Sequence, residues 1–525
     1  MGKHRWFIAL LIGVAIARFV ILFVSQTHVT GDEAVVGLMA KHILEGRYLP
    51  FYPYGVPYNG SEAWEAYVAV IPMSIFGIGV VALKSSTVIL SLVCLVVFYL
   101  MALRLLGQRI ATLASFIFAL SPSLLKWHFQ PRGYAFYFID IPLLVLLFLF
   151  LESRKTIPAA SALLFGIVSG LSVWCLELIL PVLATLWALL ILRRKMSILN
   201  FVLAVTGFAV GYAPVIWWNF SHSFANWHFL FFEKPESAGL TARFGFSAWR
   251  EIFVHEMPKF FSADTVLWYY PETNWIGYVM YAGAIAAIIA AASSALRWKQ
   301  ISDSFRNGFT TSDTAKDLLL LILTAVSFVP YVIAPLRVPG YFLAGCFFIS
   351  ILIARLIQRC LENRSMLARI AGVVVVVAVI VTGADAMIET AAHNQIETLT
   401  LCGQHEHCMT RVPGSDIDAV KEDLRDHNIN EVWTSISFTY PLIFETGEKL
   451  IASESIFGID RPVYPREIPK VEPSGKRSVF VVETNSPYRN EIESECTRKG
   501  GTSPRVTEHG KLVVIEQRFA RELNQ

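Results

Sequence analysis

Apolar residues in this 525-residue chain come mainly in long, nearly unbroken runs rather than at helical or strand-like spacing. A membrane helix needs about 20 predominantly apolar residues, and that template predicts about eleven spans. They cover residues 6–24, 82–103, 109–125, 134–151, 158–175, 176–192, 198–217, 276–296, 317–336, 341–357 and 370–388. The segment 66–80 is short and broken by Pro72, Gly77 and Gly79, so it reads as a helix lying at the interface. From Asp416 the text changes to soluble patterning. DIDAVKEDLRDHN reads as an amphipathic helix, EVWTSI and RSVFVVET as strands, NEIESECTRKG as a helix and KLVVIEQ as a last strand. Strands alternating with helices predict a small α/β domain.

The expected fold class is therefore an α-helical polytopic membrane protein with interfacial helices in its first outer loop and a small C-terminal α/β domain. Residues 1–388 form the membrane part, with an outer loop at 25–81, and residues 389–525 form the soluble part. Composition agrees: 55% of residues are hydrophobic and 16% charged, against about 25% charged in soluble domains. The apolar run at the N-terminus is longer than the ~7–15 residues of a signal peptide, and no small-residue cleavage site follows. It reads as a retained span.

Lysine and arginine set the expected orientation, because cytoplasmic loops hold the excess. Lys3 and Arg5, Arg104 and Arg109, Arg154 and Lys155, Arg193 to Lys195, then Arg297 to Lys316 and Arg355 to Arg369 fill every second loop. That alternation places the N-terminus in the cytoplasm of a cell with this chain in its inner (plasma) membrane. The outer loop, the loops 126–133 and 218–275 and the C-terminal domain then lie on the extracytoplasmic side. A net charge of +3 gives no reason to expect nucleic acid as a partner; membrane lipids are the expected surroundings.

Polar chemistry gathers at that outer rim. Asp32 and Glu33 stand side by side just beyond the first span. A carboxylate there suits a general base acting on a hydroxyl or amine, the second assisting or holding a divalent cation. It equally suits the first turn of the helix AVVGLMAKHIL, where acidic groups complement the dipole. The loop SPSLLKWHFQPRGYAFYF packs Lys126, His128, Arg132 and Tyr134 into nine residues, and PLRVPGYFLAG adds Arg337 and Tyr341. Cations among aromatics at the lip of the hydrocarbon suit a lipid phosphate, or simple interfacial anchoring. Tyr54, Tyr58, Glu62 and Glu65 are candidates to contact an acceptor; for Glu62 and Glu65 the other reading is a solvated helix face. Ionisable residues inside spans are few (Arg18 and Asp140), unlike a carrier with charges at the midplane.

Four cysteines, Cys94, Cys175, Cys346 and Cys360, fall in or beside apolar runs and read as small buried hydrophobes. Cys402 and Cys408 bracket Gly-Gln-His-Glu-His, where a disulfide, free thiols or a metal are all open readings. HEMP at 255–258 lacks the second histidine of a zincin motif and reads as a loop.

The run GDEAVVGLMAKHILEGRY, then YGVPYNGSEAWEAYVA and IFGIGVVALK, resembles the first outer loop of the C-type glycosyltransferases of the protein O-mannosyltransferase and aminoarabinose lipid A transferase group. LLGQRIATLASFIFALSPSLL, QPRGYAFYF, GIVSGLSVWCLELILPVLA and GYAPVIWWNF follow in the same order, LRVPGYFLAG is similar to the group's arginine-containing hairpin, and EVWTSISFTYPLIFETGEKLIAS resembles the outer domain of some members. The resemblance implies an inverting membrane enzyme that takes a sugar from a polyprenyl phosphate and gives it to a lipid, glycan or protein acceptor. It puts Asp32 at the acidic catalytic position with Glu33 beside it, and Arg132, Tyr134 and Arg337 at the donor phosphate, where Lys126, His128 and Tyr341 are further candidates. The adjacent Asp-Glu lacks the Asp-x-Asp spacing of metal-dependent oligosaccharyltransferases, so a metal is not assumed and no cofactor is taken as required, a divalent cation staying an open reading. A lipid-linked oligosaccharide transferase or O-antigen ligase-like enzyme, and a lipid or solute transporter, are the rival readings.

Overall fold

The computed structural model describes residues 4–25, 28–54, 56–231, 250, 253–254, 257–261, 275–333, 339–392, 395–401, 407–454, 478–486 and 488–518. Among them, eight helices are long and apolar enough to cross a membrane: Arg5–Val24, Val80–Leu106, Ala135–Glu152, Ile198–Ser221, Trp275–Ala295, Asp313–Val332, Leu343–Glu362 and Met366–Ala391. Ala159–Cys175 and Glu177–Leu192 are shorter apolar helices, and Gln108–Ala119 has 12 residues. Each predicted span thus falls on a helix. The segment 66–80 covers the second half of a 17-residue helix, Gly60–Phe76, and the turn after it, where Gly77 takes φ +86°, up to Val80 at the start of the next helix.

Internal contacts divide the chain into two compact units. The first comprises Met1–Val20, Pro57–Glu65 and Thr87–Glu389. Its core is aromatic: Phe118 lies 4.5 Å from Phe98 and 4.7 Å from Phe347 between ring centroids, and Phe138 joins them. The helices Ala159–Cys175 and Ile198–Ser221 meet through Gly166, Gly170, Gly207 and Gly211, where a Cβ would run into the facing backbone. Small residues four apart let two membrane helices approach this closely. Arg355 and Arg359, read from sequence as loop charges, sit on the helix Leu343–Glu362 and bind buried Asp317 at 2.8 and 2.6 Å. Arg18 is fully buried, its Nη1 donating to Ser91 Oγ at 2.6 Å.

The second unit comprises Ile21–Val56, Ala66–Ser86 and Thr390–Gln525. Strands β1 (Gln395–Leu401) and β2 (His407–Pro413) form an antiparallel hairpin. A five-stranded sheet follows, made of β3 (Glu431–Thr434), β4 (Ile451–Glu454), β5 (Val479–Glu483), β6 (Arg505–His509) and β7 (Leu512–Glu516) in the order β4-β3-β5-β7-β6. β3 runs parallel to β4 and β5, whereas β7 is antiparallel to β5 and β6. The helices Gly414–Asp426, Ile436–Glu445 and Arg489–Gly500 complete the α/β layer. Its apolar core, with Val420, Phe438, Phe444 and Val514, is continuous with Val29 and with Val36, Leu38 and Met39 of the helix Gly31–Leu44. Cys402, Glu256 and most of the loop 218–275 lie outside the described residues, and with them the Cys402–Cys408 pairing.

Candidate active site

In the second unit, Thr30 is the N-cap of the helix Gly31–Leu44, which puts Asp32 and Glu33 in its first turn. The two carboxylates part company there. Glu33 is fully buried; its Oε2 accepts from the backbone N–H of Thr30 at 2.7 Å, and its Oε1 lies 3.3 Å from buried Lys84 Nζ. That is the reach-back contact of a helix capping box, reinforced by an ion pair. Asp32, one residue earlier, is exposed. Glu33 therefore serves the helix, and Asp32 faces outward. Lys84 escaped the sequence reading of roles, although a single lysine near the start of a long apolar helix, Val80–Leu106, is itself a signal.

In the first unit, the loop before the helix Ala135–Glu152 is held from beneath by Glu65. This buried carboxylate accepts from Gly133 N–H at 3.0 Å and from Ala135 N–H at 2.7 Å, the latter one of the donors a helix N-terminus leaves open. Gly133 has φ +80°, and a Cβ there would overlap the Asn59 side chain. Glycine is required on both counts. Asn59 in turn donates from Nδ2 to Glu62 Oε1 at 2.7 Å. Glu62 and Glu65 are thus buried supports rather than a solvated face or a free acceptor surface.

On this base stands an aromatic and cationic group. Arg132 Cζ lies 5.9 Å from the Trp127 ring centroid, within cation–π reach, and the Trp127 and Tyr134 rings are 4.3 Å apart. Tyr134 Oη would be 2.7 Å from a Cβ on Gly340, so the tyrosine packs on the turn Pro339–Phe342 that carries Tyr341. The two predicted loops, far apart in sequence, meet there. Lys126 lies in the short helix Pro122–Trp127, and Arg337 lies outside the described residues. His128 differs from expectation: it is buried, with Phe118 and Phe138 as ring neighbours at 5.9 and 6.1 Å. Burial, with the charge of Arg18 second, pushes its imidazole well below the ordinary value, which disfavours the charged ring that a phosphate would meet.

The remaining acceptor candidates separate. Tyr54, in the second unit, donates to His42 Nδ1 at 2.6 Å, while Tyr58, in the first, stacks on Phe229 at 4.7 Å. Among the described residues, two clusters bring metal-competent side chains together, His28 with Asp418 and Glu445, and His42 with Glu45 and Glu448. Lysine already occupies both: Lys421 binds Asp418 and Glu445, and Lys41 binds Glu45 and Glu448. These read as ion-pair networks.

No protein-family model matches this sequence, and no curated protein does. Solved structures do match. The crystal structure of ArnT from Cupriavidus metallidurans bound to undecaprenyl phosphate is similar with a TM-score of 0.62 at 13% identity, over 97% of this chain and 98% of that one. The apo form of the same ArnT gives 0.61 at 12% identity, with the same coverage. An oligosaccharyltransferase from Archaeoglobus fulgidus, tethered to an acceptor peptide containing the NVT sequon, gives 0.51 at 13% identity, over 86% of this chain and 64% of that one. The chain thus has the polytopic fold of C-type glycosyltransferases, with a small C-terminal α/β domain.

Proposed function

We propose that this chain is a membrane glycosyltransferase that moves a hexosyl or pentosyl unit from a polyprenyl phosphate to an acceptor on the extracytoplasmic face. The observation that carries this reading is a fold shared over nearly the whole chain with a protein crystallised on undecaprenyl phosphate. Asp32 takes the proton from the acceptor hydroxyl or amine; the new bond forms at the anomeric carbon as the bond to phosphate oxygen breaks. The polyprenyl phosphate leaves with the electron pair, and the configuration inverts. Arg132, Arg337 and Lys126 stabilise the charge that develops on the leaving group, with hydroxyl donors from Tyr134 and Tyr341. Preorganised donors of this kind are worth about 3 kcal/mol each in other enzymes.

The alternation of basic loops supports an extracytoplasmic site, with the N-terminus inside and the C-terminal domain outside in the inner (plasma) membrane. The similarity to an oligosaccharyltransferase favours a second reading, transfer of a whole lipid-linked glycan. Photoreactive polyprenyl phosphate tests the shared premise. It is expected to label peptides containing Trp127–Tyr134 and Pro339–Phe342, and excess unlabelled polyprenyl phosphate is expected to suppress the labelling. Labelling spread evenly over all lipid-facing helices would contradict the site.

A further inference from the structure

The five residues Phe444–Glu448 engage the Asp32 helix at both ends and in the middle, all within the second unit. That helix has 14 residues, about 21 Å. At its start, Glu445 Oε2 lies 3.0 Å from His28 Nδ1, and Glu445 Oε1 accepts from Val29 N–H at 3.3 Å, immediately before the N-cap Thr30. Lys421 Nζ, 2.7 Å from the same Oε2, fixes that carboxylate from behind. Burial works against its charge, but His28 and Lys421 hold the Glu445 carboxyl below its ordinary value. In the middle, a Cβ on Gly37 would come within 2.6 Å of the Phe444 ring. Phe444 is itself buried, so it has little room to swing aside.

At the far end, Glu448 gathers three basic residues. Its Oε1 lies 2.9 Å from His42 Nε2, its Oε2 is paired with Lys41, and Arg47 Nη1 is 3.3 Å away. Burial, then the charges of Arg47 and Lys41, hold the His42 imidazole down at about 4. The neutral ring donates to Glu448 and accepts from Tyr54. Glu448 does this with a left-handed backbone, φ +65°, directly after Gly447 at φ +64°. A non-glycine residue in that region carries strain that the surroundings must hold.

We propose that Glu445 and Glu448 are positioning residues for Asp32: the C-terminal domain clamps the helix at its two ends, with the Phe444 ring packed closely on Gly37 between them, and fixes where its first-turn carboxylate points. The inference rests on the reading of Asp32 as the base. A displacement of about 1 Å can cost a reaction up to about a hundredfold, and a helix held at both ends resists tilt and axial slip.

The test is kinetic, on the full-length protein in vesicles with polyprenyl-phosphate sugar as donor, with Asp32→Asn run alongside. Glu445→Gln, Glu448→Gln and Gly37→Ala are each expected to lower kcat about tenfold while donor KM stays within about twofold. Phe444→Ala in the Gly37→Ala background removes the collision and is expected to restore most of the lost kcat. Wild-type kcat in the three single variants beside an inactive Asp32→Asn overturns the clamp alone. Losses confined to donor KM also overturn it, as does a double variant no better than Gly37→Ala. Wild-type turnover in Asp32→Asn overturns the base assignment, and the clamp with it.

Discussion

Replacing Asp32 with Asn is expected to abolish sugar transfer, lowering kcat by about 10² to 10⁴, the range a positioned general base contributes. The size of the effect separates catalysis from helix capping. Asp32 stands in the first turn of its helix, where a carboxylate favours the dipole by about 0.3–1 kcal/mol. Asn lacks that charge, so a purely structural Asp32 predicts a slightly less stable protein with nearly normal turnover. A base predicts the same small change in melting temperature but a loss of turnover far larger than that change explains. Glu33→Gln belongs to the other class. Its carboxylate holds the Thr30 N–H and Lys84, so its loss weakens the helix start first.

The second large effect is expected at Glu65. Glu65→Leu leaves the N–H groups of Gly133 and Ala135 without their acceptor, and each buried orphan costs about 1–3 kcal/mol. The loop carrying Arg132 and Tyr134 then loses its seat. Donor KM is expected to rise at least tenfold, on the order of the same free energy, with a lower melting temperature. Glu65→Gln keeps one acceptor oxygen and is expected to fall between. Wild-type donor KM and stability in Glu65→Leu would show that the loop is held by other means.

Much of the fold was legible because membrane spans announce themselves by length alone. Among the described residues the predicted spans fall on helices, and the helix, two strands, helix and last strand predicted for the tail from Asp416 are all present, with the helix Ile436–Glu445, β4 and β6 interspersed among them. What escaped notice has physical reasons. β6 is a half-exposed edge strand without apolar alternation. The helix Ile436–Glu445 contains Pro441 and few polar residues, so neither pattern nor propensity marks it. Glu65 binds backbone donors about 70 positions away, and a backbone N–H leaves no letter in the sequence. Glu445 and Glu448 meet residues some 400 positions earlier for the same reason. His128 shared a loop with Arg132 in the sequence and was read as a cation with it. The fold turns His128 into the aromatic core and leaves Arg132 over Trp127.

The most direct measurement follows doubly labelled polyprenyl-phosphate sugar in sealed vesicles containing the purified protein and an acceptor extract. The account predicts that sugar appears covalently on an acceptor with equimolar release of free polyprenyl phosphate, and that Asp32→Asn stops both. Intact donor crossing the bilayer with its sugar still attached, and no covalent transfer, would contradict it and identify a transporter instead.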